Sequence, residues 1–299
     1  MADSTEKRLL LGKPLRDKIL AEVKAEAEEL RTYGIHPTLA VFYAQGENAA
    51  ERYCTALKLA ADQAQVKLVS LPLSPDLPEG VVRSLVLETA TAPQVHGVLV
   101  LEPSPWPGLS LLIPPEKDVD GAHPKNLGRL LWQGASSAGF SELKRLLGYA
   151  LPATPQAVLE LLLFYGFDLW GKEAVVVGGG RVGLPLSVLL LRESLSVVTV
   201  CERNTRDLGK VTRQADLICL TAGSPGILKA PMVRPGAVVV DVGTSVCAGK
   251  IVGDADPGVA EVAGAWTPVP GGVGPVTGAV LLRHLVEAAR RIHQGGHER

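Results

Sequence analysis

Apolar residues recur at helical spacing through the charged opening of the chain, where Leu15, Ile19, Val23 and Leu30 share one face and predict an amphipathic helix over residues 15–33. A run of strand type follows at 38–43. The pattern then alternates: helix at 49–65, strand at 66–71, helix at 80–89 and strand at 95–101, with Pro103, Pro105 and Pro107 closing the series. Strands that alternate with helices predict a parallel sheet. Residues 136–151 match no clear element, and a helix over 155–165 leads out of them, so the domain boundary is set there. Beyond it the pattern predicts a strand at 174–177, a helix at 183–192 and strands at 197–201, 217–222 and 238–242. That series predicts a second, doubly wound unit. The expected architecture is α/β in two domains, 1–150 and 151–277, with a helix at 278–299 closing onto the first. Val280, Leu281, Leu285, Ala288 and Ala289 give that last helix its apolar face.

Between the last strands and that helix lies TPVPGGVGPVT at 267–277, three prolines and three glycines in eleven residues. Proline fixes φ and removes a donor, and glycine lets bare backbone approach a bound molecule, so the run predicts a stiff wall with few side chains. Its ordinary alternative is a rigid connector.

Composition narrows the chemistry. The 299 residues are 46% hydrophobic and 20% charged, with a net charge of −1, enough for a large core and too balanced to attract nucleic acid or an anionic membrane. Small-molecule chemistry is the expectation. Cys54, Cys201, Cys219 and Cys247 lack metal-ligand spacing and read as buried free thiols in a reducing compartment, so no metal is expected. With no secretory hydrophobic region and no apolar stretch of spanning length, the expected location is cytoplasmic.

Gly178, Gly180 and Gly183 form GxGxxG between a strand and a helix, with Glu202 ending the next strand. Here the motif has the context that dinucleotide binding requires. The glycines, Gly179 included, let a pyrophosphate reach the helix N-terminus, whose free amides and dipole favour negative charge. Glu202 can accept hydrogen bonds from an adenosine ribose diol and would repel a 2′-phosphate, which favours NAD. Arg203 beside it has the opposite tendency, since a guanidinium pairs with a 2′-phosphate and would admit NADP. The alternative is a glycine turn that only packs strand on helix.

Several strings now line up in order: Tyr53, LVLEPSP at 99–105, PEKDVDGAHPKNLGRL at 115–130, TPQAV at 154–158, GGGRVGLP at 178–185 and TPVPGGVGPVT. Together they closely resemble the methylenetetrahydrofolate dehydrogenase/cyclohydrolase family over nearly the whole chain. KDVDG and PVPGGVGPVT are highly specific to it. The resemblance implies a folate domain facing a Rossmann domain across a cleft, an NAD or NADP cofactor, a tetrahydrofolate substrate and a homodimer. It further implies that Tyr53 stacks on the folate and Asp120 binds its pterin, these two forming the catalytic site. Val100, Leu101, Glu102, Pro270, Gly271, Gly272 and Gly274 would complete the substrate pocket, and Thr244 would join Gly178, Gly179, Gly180, Gly183, Glu202 and Arg203 at the cofactor. A carboxylate that accepts two parallel donors suits an amino-pyrimidine edge.

Two departures separate this chain from bifunctional members. They carry a lysine four residues after the tyrosine and a glutamine in the strand before the proline-rich loop; here those positions hold Leu57 and Leu101. Lys58 is no substitute, because it lies roughly 140° around the helix from Tyr53, against roughly 40° for position 57. Glu102 faces away from Leu101 by strand alternation. Dehydrogenation needs mainly positioning, whereas hydrolysis of the methenyl cation needs activated water, for which a desolvated lysine held by glutamine is suited. The expectation is a dehydrogenase without cyclohydrolase activity. The nucleotide turn is also shorter than usual and lacks an arginine linked to 2′-phosphate recognition, and the usual Cys-Thr-Pro and DVGINR are Ala153-Thr154-Pro155 and residues 241–246. Two alternatives stand beside it: a dehydrogenase of the same fold with another substrate, and a non-catalytic folate or nucleotide binder that regulates a partner.

Overall fold

The computed structural model describes residues 8–132, 150–193 and 197–295, so nearly all of the patternless segment at 136–151 lies outside the described residues. The described chain divides into two compact units. One holds residues 16–129, 150–153 and 278–295; the other holds 8–15, 130–132, 154–193 and 197–277.

The first unit is built on a three-stranded parallel sheet of β2 (Thr38–Ala44), β3 (Lys67–Leu73) and β4 (Gly97–Val100), ordered β3-β2-β4. The central strand β2 is apolar and buried nearly throughout because both of its faces are covered. Helix α1 (Lys13–Thr32) leads into β2, and α2 (Asn48–Gln63) and α3 (Glu79–Thr91) supply the crossovers, each of the three within two residues of the span that periodicity predicts at both ends. One core gathers Ala40 and Phe42 of β2 with Val82, Val86 and Ala90 of α3. The sheet is extended beyond β4 by a single bridge from Val98 to Asp118.

The second unit carries a six-stranded sheet, parallel throughout, in the order β1-β11-β8-β7-β5-β6. Here β5 (Glu173–Val177), β6 (Val197–Cys201), β7 (Leu217–Leu220) and β8 (Val238–Asp241) match the predicted strands closely. Three features differ from the sequence reading. A short first strand, β1 (Arg8–Leu9), pairs with β11 (Ala265–Trp266), so the start of the chain belongs to the second unit and not to the first. An antiparallel hairpin of β9 (Ser245–Cys247) and β10 (Lys250–Val252) follows β8 and leaves Cys247 exposed, unlike Cys54, Cys201 and Cys219, which are buried. The last helix of the chain begins at Val273, inside the proline-glycine run, and reaches Gly295.

Three further helices complete the set: α4 (Pro124–Trp132), α5 (Ala153–Phe164) and α6 (Gly183–Arg192), with the single turn α7 (Leu208–Thr212) and the terminal α8 (Val273–Gly295) after them. No helix of the described chain is long and apolar enough to cross a membrane.

Candidate active site

In the first unit the carboxyl end of β2 feeds α2, and Tyr53 stands on the second turn of that helix, partly buried. Burial, followed by the nearby Asp120 carboxylate, holds its phenol well above the ordinary range. The ring is therefore a neutral hydroxyl facing an acid, and the sequence pair Tyr53 and Asp120 is brought together. One turn further, Leu57 is 3% exposed, and its Cδ1 lies 3.6 Å from where a methyl on Gly278 of α8 would sit. Leu101, 8% exposed, leaves the end of β4 with its amide donating to Phe42 O at 2.8 Å. Val100 precedes it in register with Phe42. Lys58 and Glu102 are exposed, as helix and strand geometry predict, and Glu102 Oε2 accepts from Ser104 N at 2.7 Å.

The KDVDG string shows a division of labour. Lys117 is buried with its ammonium donating to Ala92 O at 2.8 Å, and that burial lowers its pKa. Asp118 is buried too, accepting from His123 N and Asn126 Nδ2, each at 2.8 Å. Val119 is 1% exposed, and its carbonyl accepts from Nδ1 of the buried His284 at 2.7 Å. Gly121 has φ +66° and packs so close to Leu151 O that any Cβ would overlap it. Three of the five residues thus anchor the string and one lets it turn. Asp120 alone keeps a partly exposed side chain.

In the second unit β5 lies between β6 and β7, so the strand order reverses at its carboxyl end. That is the crevice where open α/β sheets bind ligands. Gly178 takes φ +102°, which a side chain rarely adopts, and donates to Cys201 O at 2.8 Å. A Cβ on Gly183 would overlap Gly178 O, so the first residue of α6 meets the end of β5 through bare backbone. A Cβ on Gly179 would strike Glu202 Oε1, which sets that carboxylate over the turn. Gly180 faces open space, and no side chain caps the amino end of α6. Uncapped amides behind a bare turn fit a pyrophosphate. Arg203 is exposed beside Glu202, and Thr244 is exposed before the hairpin, its hydroxyl donating to Val242 O at 3.4 Å.

Beneath these loops sit two buried carboxylates. Asp254, fully enclosed, accepts from Ala222 N, Gly223 N and Ser224 N at 2.8, 2.9 and 2.6 Å, fixing the loop after β7. Asp241 accepts from Gly243 N, Asp254 N and Ala255 N at 3.0, 3.1 and 2.8 Å. Burial lifts the Asp241 carboxyl above its ordinary range in spite of those amides, and the Asp254 charge adds to the rise. A Cβ on Gly243 would overlap Asp254, and one on Gly253 would overlap Asp241. Asp254 escapes a reading by motif. Its only sequence signal is a nearby glycine at each acid, Gly253 just before it and Gly243 two residues after Asp241.

The proline-glycine run is a tight turn followed by a helix. Gly272 N donates to Pro268 O at 2.8 Å, Gly12 N donates to Gly271 O at 2.9 Å, and a Cβ on Gly12 would overlap Gly272 O. Gly272 is buried, spent on this packing, while Pro270 and Gly274 are exposed and Gly271, at φ +110°, is partly so. The Val269-Pro270 peptide is cis.

Comparison with known proteins agrees with this geometry in both units. Residues 10–120 match the model of the tetrahydrofolate dehydrogenase/cyclohydrolase catalytic domain, and residues 152–293 match that of its NAD(P)-binding domain. The bifunctional protein FolD of Chloroflexus aurantiacus is 40% identical over 292 residues, covering 95% of this chain and 97% of that protein. Among solved structures, the bifunctional enzyme FolD of Campylobacter jejuni aligns with a TM-score of 0.84 at 36% identity, over 95% of this chain and 98% of that one. A 5,10-methylenetetrahydrofolate dehydrogenase from the silkworm Bombyx mori gives 0.83 at 31% identity, over 97% of this chain and 100% of that one. With matched domains in both units and relatives this similar over their full length, the chain belongs to the tetrahydrofolate dehydrogenase/cyclohydrolase family.

Proposed function

We propose that this protein is a monofunctional dehydrogenase that oxidises 5,10-methylenetetrahydrofolate to the 5,10-methenyl compound with NAD, and that it has no cyclohydrolase activity. The observation that carries the second half is the pair of buried leucines, Leu57 one turn from Tyr53 and Leu101 at the end of β4. Neither can hold or move a proton, so neither can activate water against the methenyl cation. Tyr53 and Asp120 are the residues assigned to the folate, the phenol as a stacking face and the carboxylate as acceptor for the amino-pyrimidine edge. Pro270, Gly271 and Gly274 are assigned to the pocket wall. A nicotinamide held there would supply the hydride acceptor for the methylene carbon, the folate nitrogens delocalising the positive charge left behind. What the chain supplies is position: an acid for the pterin and a bare glycine turn for the dinucleotide.

The NAD preference rests on Glu202, whose carboxylate lies against the glycine turn where a 2′-phosphate would meet like charge. The test is purified full chain with methylenetetrahydrofolate and either cofactor, followed by nicotinamide absorbance, and separately the decay of added methenyltetrahydrofolate. Reduction of NAD in preference to NADP with no accelerated decay is expected. No reduction with either cofactor would overturn the dehydrogenase, faster turnover with NADP would overturn the role given to Glu202, and rapid methenyl decay would overturn the loss of hydrolysis.

A further inference from the structure

A cavity of about 540 Å³ opens at the amino ends of β2, β3 and β4, the end of the three-stranded sheet away from Tyr53 and Leu101. A seven-residue strand spans roughly 20 Å, which separates the two ends by more than a ligand's reach. The volume lies in the range that small molecules occupy. Among the described residues no carboxylate lines it, and four of its walls carry basic side chains: Arg31, His36, Lys67 and His96.

These groups are arranged as donors. Arg31, near the end of α1, is held in place by donating from Nη2 to Gln65 Oε1 at 2.9 Å and from Nε to Ala27 O at 3.2 Å, which leaves part of its fork for a ligand. Lys67, the first residue of β3, is exposed; its amide donates to Pro37 O at 3.0 Å, and its ammonium makes no hydrogen bond or ion pair among the described residues. His96 accepts from Thr38 N at Nδ1, 3.3 Å away, so its proton resides on Nε2 and the ring offers an N–H. Burial, with the Lys117 charge second, favours that neutral form. A cluster of two permanent cations and an imidazole N–H, with the Gln65 amide oxygen already taken by Arg31, repels cations and gains little from a neutral apolar guest.

We propose that this cavity is a second ligand site, which binds a phosphorylated small molecule through its phosphate, with Arg31 and Lys67 pairing the charge and His96 donating a hydrogen bond. The tetrahedral group, with several acceptor oxygens, can meet donors that converge from the ends of three strands and a helix. The test uses the full chain and inorganic pyrophosphate as the probe, followed through the ring proton resonances of His36 and His96, assigned with His36→Gln and His96→Gln. A saturable shift of both is expected, with the dissociation constant weakened about tenfold or more by Lys67→Glu, a change of exposed charge at a strand start. The proposal fails if no saturable shift occurs, if Lys67→Glu leaves the affinity unchanged, or if citrate binds as tightly as pyrophosphate. It also fails if excess NAD abolishes the shift, since the resonances would then report the glycine turn. A shift that persists with NAD present supports a separate site and does so whether or not the dehydrogenase reading stands.

Discussion

The loops at the carboxyl ends of the two parallel sheets are held by different sets of groups. In the six-stranded sheet, buried Asp241 and Asp254 each accept three main-chain amides, so a binding surface of bare backbone is braced from below by negative charge. In the three-stranded sheet the bracing groups of the KDVDG string are Lys117, Asp118 and the carbonyl of Val119, while the candidate site is lined by side chains: the partly exposed Tyr53 and Asp120, with the buried Leu57 one turn from Tyr53 and the buried Leu101 at the end of β4. A surface made of backbone tolerates exchange of the side chains around it, though not a side chain added at the glycines that form it. One made of side chains can lose a reaction through two substitutions and keep its fold.

The largest expected effect tests the side-chain surface. Leu57→Lys with Leu101→Gln should raise methenyltetrahydrofolate hydrolysis roughly a hundredfold, the usual scale of a general acid or base. Burying the lysine should cost about 2 kcal/mol in urea unfolding. Folded protein with no gain in hydrolysis would sink the assignment of those two positions. On the backbone surface, Gly183→Val drives a side chain into Gly178 O and should weaken kcat/KM for NAD roughly 10- to 100-fold while leaving the first unit's tryptophan fluorescence intact. An unchanged kcat/KM would remove the glycine turn from the cofactor site. Asp254→Asn should raise KM for NAD about tenfold and destabilise by roughly 2 kcal/mol, because an amide turns donors toward backbone N–H groups. Equal stability with unaltered KM would mean that the loop after β7 holds its shape without that acid.

The smallest effect lies at the amino end of the large sheet. Asp216 accepts from Glu173 N at 3.0 Å and pairs with Arg234, and these hold its carboxyl below the ordinary value of 3.8, the main-chain bond contributing most. A depressed folded pKa contributes stability that is present above pH 3.8 and lost as pH falls through the lower folded value. Asp216→Asn should therefore flatten the acid limb of a melting-temperature profile and leave KM for NAD untouched. A shift in KM would show that bracing at this end also governs the cofactor.

Much of this architecture was legible in the chain because long elements repeat their pattern. Helix α6 and strand β6 have the predicted ends, since their apolar runs are bounded by glycine, arginine and charge. The short strands β1, β9, β10 and β11 were not legible, for two or three residues contain no period. Helix α8 begins earlier than expected because Pro275, which would break a helix interior, is compatible with a first turn, where its missing N–H has no partner to lose. Of the candidate site, the glycines and Tyr53 with Asp120 are proposed from their strings, and the structure adds that Gly272 is buried. Asp254 had no string to announce it. Its role depends on amides thirty residues away, a relation only folding creates.

The pairing of Arg8–Leu9 with Ala265–Trp266 has a kinetic meaning. Among the strands of this sheet β1 comes first in sequence and β11 last, so during synthesis β1 has nothing to join until β11 has emerged. Closing so long a loop costs only slightly more than closing a short one, because the entropy grows with the logarithm of length. The hazard in waiting is the wrong neighbour. A two-residue strand that begins with an exposed arginine is a poor template for another chain, and it guards the finished sheet's edge in the same way.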